Sequence, residues 1–135
     1  MYDLLVKDSD ELIISVVIGK TLNGSLIAGA DQDVLAEEHN DIDAGSLKTL
    51  DFVFQQPNFK NSVEIAKDMF KTEGTGVEFN PLAIRYSKMV RLLKKWDLKD
   101  EDGQDLEINE TNISKLHPAV ANAVGVQLDE HTPMF

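Results

Sequence analysis

The segment Asn80–Gly103, NPLAIRYSKMVRLLKKWDLKDEDG, constrains the chain most, because one stretch carries a helix start, two chemically distinct helical faces and an acidic stop. Asn80 suits an N-cap, since its side-chain oxygen can accept a free backbone N–H, and Pro81 suits the first helical position, where no N–H is needed. Leu82, Tyr86, Met89, Val90, Leu93 and Trp96 recur at three- and four-residue spacings and predict an apolar face that runs as far as Trp96. Arg85, Lys88, Arg91 and Lys95 run down another face. The apolar stripe belongs to a core. The basic stripe serves solvent, acidic neighbours within the fold, or a partner.

The remaining chain is read as elements that could pack on this helix. At 135 residues it fits a single domain, 1–135, able to bury roughly two-thirds of its unfolded surface. Leu12–Ile18 (LIISVVI) is apolar on both parities and predicts a strand buried on both faces. Asn23-Gly24 then predicts a hairpin turn before Leu26-Ile27. Residues 29–48 are acidic and poor in apolar anchors, so a mobile or partly ordered connection is expected there, in which Asp33–Glu38 could make a short helix. Leu50–Gln56 reads as a strand ended by Pro57.

The second half reads as helical. Asn58, Asn61 or Ser62 is expected to cap a helix reaching about Thr72, with Val63, Ala66, Met69 and Phe70 as its apolar face and Phe59 packing back onto it. On that helix Glu64 and Asp68 stand at ion-pairing distance from Lys60, Lys67 and Lys71, as exposed pairs of ~0.3 kcal/mol each. Gly74–Gly76 would break the helix and reverse the chain into an antiparallel partner. After Trp96, Asp102-Gly103 suits a tight turn, Asn109 caps a short helix with Ile113 and Leu116, and His117-Pro118 opens a last helix of small residues. The tail 129–135 is expected to fray. The fold class is therefore α+β: a small N-terminal antiparallel sheet, made of a hairpin plus a strand near 50–56, packed with a C-terminal bundle of about four helices. The first 56 residues are mainly β and residues 58–128 mainly α.

Composition narrows function mostly by exclusion. The net charge of −11 disfavours a general nucleic-acid binder, which gains affinity by setting cations against phosphates. Yet six of the thirteen Lys and Arg residues lie between Arg85 and Lys99, and seven carboxylates follow between Asp97 and Glu110. With no cysteine, neither disulfides nor a thiolate zinc site can form, which favours an intracellular protein. No apolar run approaches the ~20 residues of a membrane span, and the N-terminus lacks the basic region of a signal peptide. Set as a calcium loop around Gly103, the acidic stretch places Leu98 at the first ligand position and Asn109 at the last, so no metal site is expected. His39, His117 and His131 are scattered, and Gly19-Lys20-Thr21 lacks the earlier glycine of a phosphate loop. An enzyme or a cofactor site is not expected. The basic face Arg85, Lys88, Arg91 and Lys95, with Trp96 as a core anchor or a binding residue, is the candidate partner-binding site.

A Phe-rich strand ending in proline, a short helix, a Gly-containing loop, a helix ending LLKKWDLKDEDG and a small final helix follow in an order that resembles the small tail assembly chaperones of long-tailed bacteriophages and prophages. The likeness rests on Phe52, Phe54 and Pro57, on Leu92, Leu93, Trp96, Asp97, Leu98, Asp102 and Gly103, and on Glu110, Asn112, Ile113 and Leu116, and so covers roughly Leu50–Leu128. It implies a non-enzymatic assembly factor in the cytoplasm of a bacterial host, with the helix-rich tape measure protein and tail tube subunits as partners. A minor tail or head–tail component retained in the virion, and a small acidic protein-binding regulator, are the alternatives. The oligomeric state stays open.

Overall fold

The computed structural model describes residues 4–69 and 81–132. Its elements in order are β1 (Glu11–Thr21), β2 (Leu26–Gly29), α1 (Gln32–Glu38), β3 (Ile42–Gln55), α2 (Phe59–Met69), α3 (Pro81–Leu92), β4 (Leu93–Trp96), α4 (Glu110–Ser114) and α5 (Pro118–His131). The strands form one antiparallel sheet in the order β2-β1-β3-β4, and four of the five described helices follow β3. The α+β class is thus observed. The expected cap at Asn80 and the reversal at Gly74–Gly76 lie outside the described residues.

β1 and β2 are joined where the sequence demands it. Gly24 has φ of +90°, a conformation open to glycine, and its N–H donates to the Thr21 carbonyl at 2.9 Å. Along β1, Ile14 and Val16 are buried while Ile13 is 68% exposed. The first half of the strand therefore alternates, contrary to the expectation of burial on both faces. Only near Val17 does the second face become dry, because α1 lies over it: Leu35 packs with Val17, Ile27, Ile42 and Leu47 in a small second core. Glycines make the approach possible. A Cβ at Gly29 would stand 3.2 Å from Leu35 Cδ2, and one at Gly19 2.9 Å from Leu47 Cδ2.

The acidic stretch 29–48 is accordingly ordered beyond the partial order expected, and the short helix over Asp33–Glu38 is present as α1. Asp31 caps α1 by accepting from Val34 N at 2.8 Å, and β3 begins at Ile42. The sequence hid this because the pairing that orders Ile42 and Asp43, opposite Thr21 and Lys20, is non-local.

The main core lies between the other sheet face and the C-terminal helices. It joins Ile14 and Val16, Leu50, Phe52 and Phe54, and Leu93 of the sheet to Ile65, Met89, Leu92, Ile113, Val120, Val124 and Leu128 of the helices. On α2 the buried anchor is Ile65, whereas Val63 is 39% exposed and Phe59, expected to pack inward, is 86% exposed. The N-terminus of α2 is fixed reciprocally: Asn61 N donates to Asn58 Oδ1 at 2.8 Å and Asn58 N to Asn61 Oδ1 at 3.1 Å. Asn109 and His117 cap α4 and α5 as expected, accepting from Asn112 N at 2.8 Å and Ala119 N at 3.1 Å.

The largest departure is at LKKW. The helix stops at Leu92, and Leu93–Trp96 form β4, paired with β3 through Leu93–Phe54, Lys95–Val53 and Trp96–Phe52. A bulge between the first two pairs sets Lys94 outside the alternation. Both lysines thereby stay exposed while Leu93 is buried and Trp96 half-buried. A regular strand would have put one of them on the core face.

Candidate functional site

Three of the four basic residues singled out on α3 are consumed by the fold. Arg85 Nε donates to Asp129 Oδ2 at 2.7 Å, its stem lying against Gly125 of α5. Lys88 is 3% exposed; its Nζ donates to Asp129 Oδ1 at 3.0 Å and to the Thr132 carbonyl at 3.1 Å. Arg91 forks onto Asp68 through Nε at 2.6 Å and Nη2 at 3.1 Å, and reaches Glu64 at 3.2 Å. Glu64 and Asp68 therefore tie α2 to α3, and Ser87 Oγ adds a bond to Asp68 at 2.7 Å. The residues named for docking at 85, 88 and 91 thus also tie α3 to α2 and α5.

The expected fraying of 129–135 is corrected as far as Thr132. α5 continues to His131, Asp129 serves two cations, and Thr132, 3% exposed, caps the helix through its N–H to the Leu128 carbonyl at 2.9 Å. Long basic stems can lie on apolar surface while their heads find a carboxylate, which periodicity alone does not reveal. Arg91→Glu is expected to lower stability by about 1–2 kcal/mol, because it deletes a forked pair and adds a third carboxylate beside Glu64 and Asp68. Urea unfolding measures this, and an unchanged midpoint would disconnect the stripe from the fold.

Lys95 and Trp96 have other surroundings. Trp96 packs on the main core, and its Nε1 donates to the Leu106 carbonyl at 2.7 Å, fastening the 97–108 arm to the sheet. That arm turns at Gly103, φ +79°, around Asp100, whose Oδ1 accepts from Asp102 N at 2.9 Å and Gln104 N at 3.0 Å. The acidic turn is held by its own backbone. Among the described residues no group of three or more His, Asp or Glu side chains is placed to hold a metal.

Lys95 stands on the face of the sheet that α1 leaves open, beside Val53 and Ile13 in consecutive register. Together with Lys48, Lys94, Lys99, Asp97 and Leu106 they line a broad depression of about 1010 Å³. Lys94 is paired there, donating to Glu11 Oε1 at 2.8 Å, a bond that with the lysine charge lowers the Glu11 carboxyl below its ordinary pKa. Lys99 pairs with Asp105.

A second concavity, about 280 Å³, lies between α3, α4 and α5, lined by Leu82, Arg85, Tyr86, Met89, Ile113 and Leu116 among others. Leu82 and Tyr86 belong to the apolar stripe expected in the core, yet they are 60% and 39% exposed at its mouth. The helix is turned so that Met89 of that stripe faces the core as expected, together with Leu92, which the stripe did not include. Tyr86 Oη donates to Glu110 Oε1 at 3.1 Å; partial burial first, then this bond and the carboxylate charge, raise the phenol above its ordinary pKa.

Sequence reasoning missed Ile13, Val53, Lys94 and Lys99 as one surface, since only the bulged register of β4 brings them together. No helix among the described residues is long and apolar enough to cross a membrane. Comparison of the chain with protein-family models, with curated proteins and with solved structures finds no match.

Proposed function

We propose that the chain is a non-enzymatic assembly chaperone of the bacterial host cytoplasm, which shields an amphipathic helical client in the α3/α4/α5 groove. The observation that carries this reading is the exposure of Leu82 and Tyr86 at the mouth of a groove floored by Met89, Ile113 and Leu116. A helix laid there would cover its own apolar stripe and that of α3 together. The groove is small and its rim polar, through Arg85 and Asn122, which suits release as well as capture. Following the resemblance to phage tail assembly chaperones, the client is the tape measure protein, with tail tube subunits recruited around it.

Co-expression with the tape measure protein tests this. The expected result is co-purification and an increase in soluble client, both lost on Leu82→Asp, a change at an exposed position that leaves the melting temperature within a few degrees. An insoluble client regardless of this protein would sink the reading. Detection of the protein in purified virions would favour a structural tail component instead.

A further inference from the structure

Two strands of the sheet outrun their short neighbours, and one of the overhangs opens onto the lysine-lined depression. β4 ends where Trp96 pairs with Phe52. In an antiparallel ladder alternate residues turn their N–H and C=O to alternate sides. Asp51 turns outward: its N–H donates to Asp97 Oδ2 at 2.9 Å, a side chain standing where the next strand residue would be. The register with β1 is unbroken from Asp51 to Thr49. Thr49 therefore presents its N–H and C=O to the same side, past the end of β4, where no strand lies.

The equivalent overhang of β1, on its β2 side, is closed by α5, whose Gln127 Nε2 donates to the Ser15 carbonyl at 2.9 Å. The β3 overhang has no such cover among the described residues. An unpaired strand edge is a template for an added strand.

Charge decides what kind. The carboxylates around the depression are engaged: Asp51 accepts from Ser15 Oγ, Asp97 from Asp51 N, and Asp105 pairs with Lys99. Among the described residues Lys48 and Lys95 have no ion-pair partner. Ile13 of β1 and Val53 of β3 supply apolar floor beside Lys95.

We propose that the outer edge of β3 at Thr49 receives an extended, acid-bearing segment of another protein by strand addition, its carboxylates meeting Lys95 on one face of the sheet and Lys48 on the other. This surface is separate from the α3/α4/α5 groove, and the inference does not rest on the reading given for that groove. The net charge of −11 makes a second copy of the chain a poorer occupant.

The test uses the full chain and a capped peptide of about six threonine and glutamate residues, the length of an ordinary strand, with two glutamates in succession so that each face carries a carboxylate. Trp96, the single tryptophan, reports binding by fluorescence, and amide hydrogen exchange reports its place. Expected are at least tenfold slower exchange at Thr49, about tenfold weaker binding on Lys48→Glu with Lys95→Glu, and loss of binding when alternate peptide nitrogens are methylated. The methylated peptide keeps the test decisive should the double variant fold poorly. The proposal is overturned by unchanged Thr49 exchange on binding, by equal binding of a threonine–lysine peptide, by protection of Thr49 through self-association alone, or by no binding up to about 1 mM peptide.

Discussion

Asp129→Ala is expected to lower stability by about 3 kcal/mol, a drop in melting temperature of about 10 °C. The loss comes less from the carboxylate than from what it leaves behind. Lys88, 3% exposed, would keep a single acceptor, the Thr132 carbonyl, for a charged ammonium shut away from water. Removing one partner of a buried pair is costly because the other charge stays desolvated; the figure sits at the low end because the Asp129 side chain is 36% exposed. Lys88→Met makes the complementary case. It keeps the buried stem, deletes the charge, and leaves Asp129 paired with Arg85 at 2.7 Å, so its cost should stay below about 1 kcal/mol. Urea unfolding of both variants checks the contrast, and equal losses would mean that Asp129 acts through α5 rather than through Lys88.

Phe52→Ala should be more severe, at about 3–5 kcal/mol, comparable with the entire stability of a weak domain. Phe52 is fully buried in β3 and stands opposite Ile14 on one side and Trp96 on the other, so truncation opens a void at the centre of the sheet. Ile13→Ala, one residue along β1 but 68% exposed, is the control and should cost about 0.5 kcal/mol. Because Trp96 is the cross-strand neighbour, Phe52→Ala should also shift the folded-state tryptophan emission, whereas Ile13→Ala changes it little. A Phe52→Ala protein within 1 kcal/mol of the parent would contradict the placement of the main core.

What could be read from the sequence was local. Asn23-Gly24, Asn58, Asn109 and His117-Pro118 each announce a turn or a cap through their own chemistry, and each sits where that chemistry requires. Phe52, Val53 and Phe54 likewise marked a strand by their aromatic and β-branched side chains. The misreadings all involve a partner distant in the chain. Leu93 and Trp96 satisfy helical spacing, and they also satisfy a bulged strand; only pairing with Phe54 and Phe52 selects the second. The pairing of the basic stripe was one of the alternatives the sequence left open, and its partners could not be named because Asp68 and Asp129 lie on other helices, at positions that suggested only surface pairs or a loose tail. Leu82 and Tyr86 fitted the core stripe by period alone, and the close seating of α5 on Arg85 through Gly125 turned them outward. The candidate site was thus legible as a helix and not as a surface.

The position of β4 also governs the order in which this chain can complete itself. β1, β2 and β3 are joined by short local connections, whereas β4 reaches β3 only after a segment between Gln55 and Leu93 whose described residues hold α2 and α3. Closing so long a loop costs entropy before any ladder bond compensates it. The outer strand is consequently the non-local step of folding. Leu93 and Trp96, whose side chains seal the core from that edge, are placed only when the helical excursion has folded back, so the sheet and the bundle are finished by the same event.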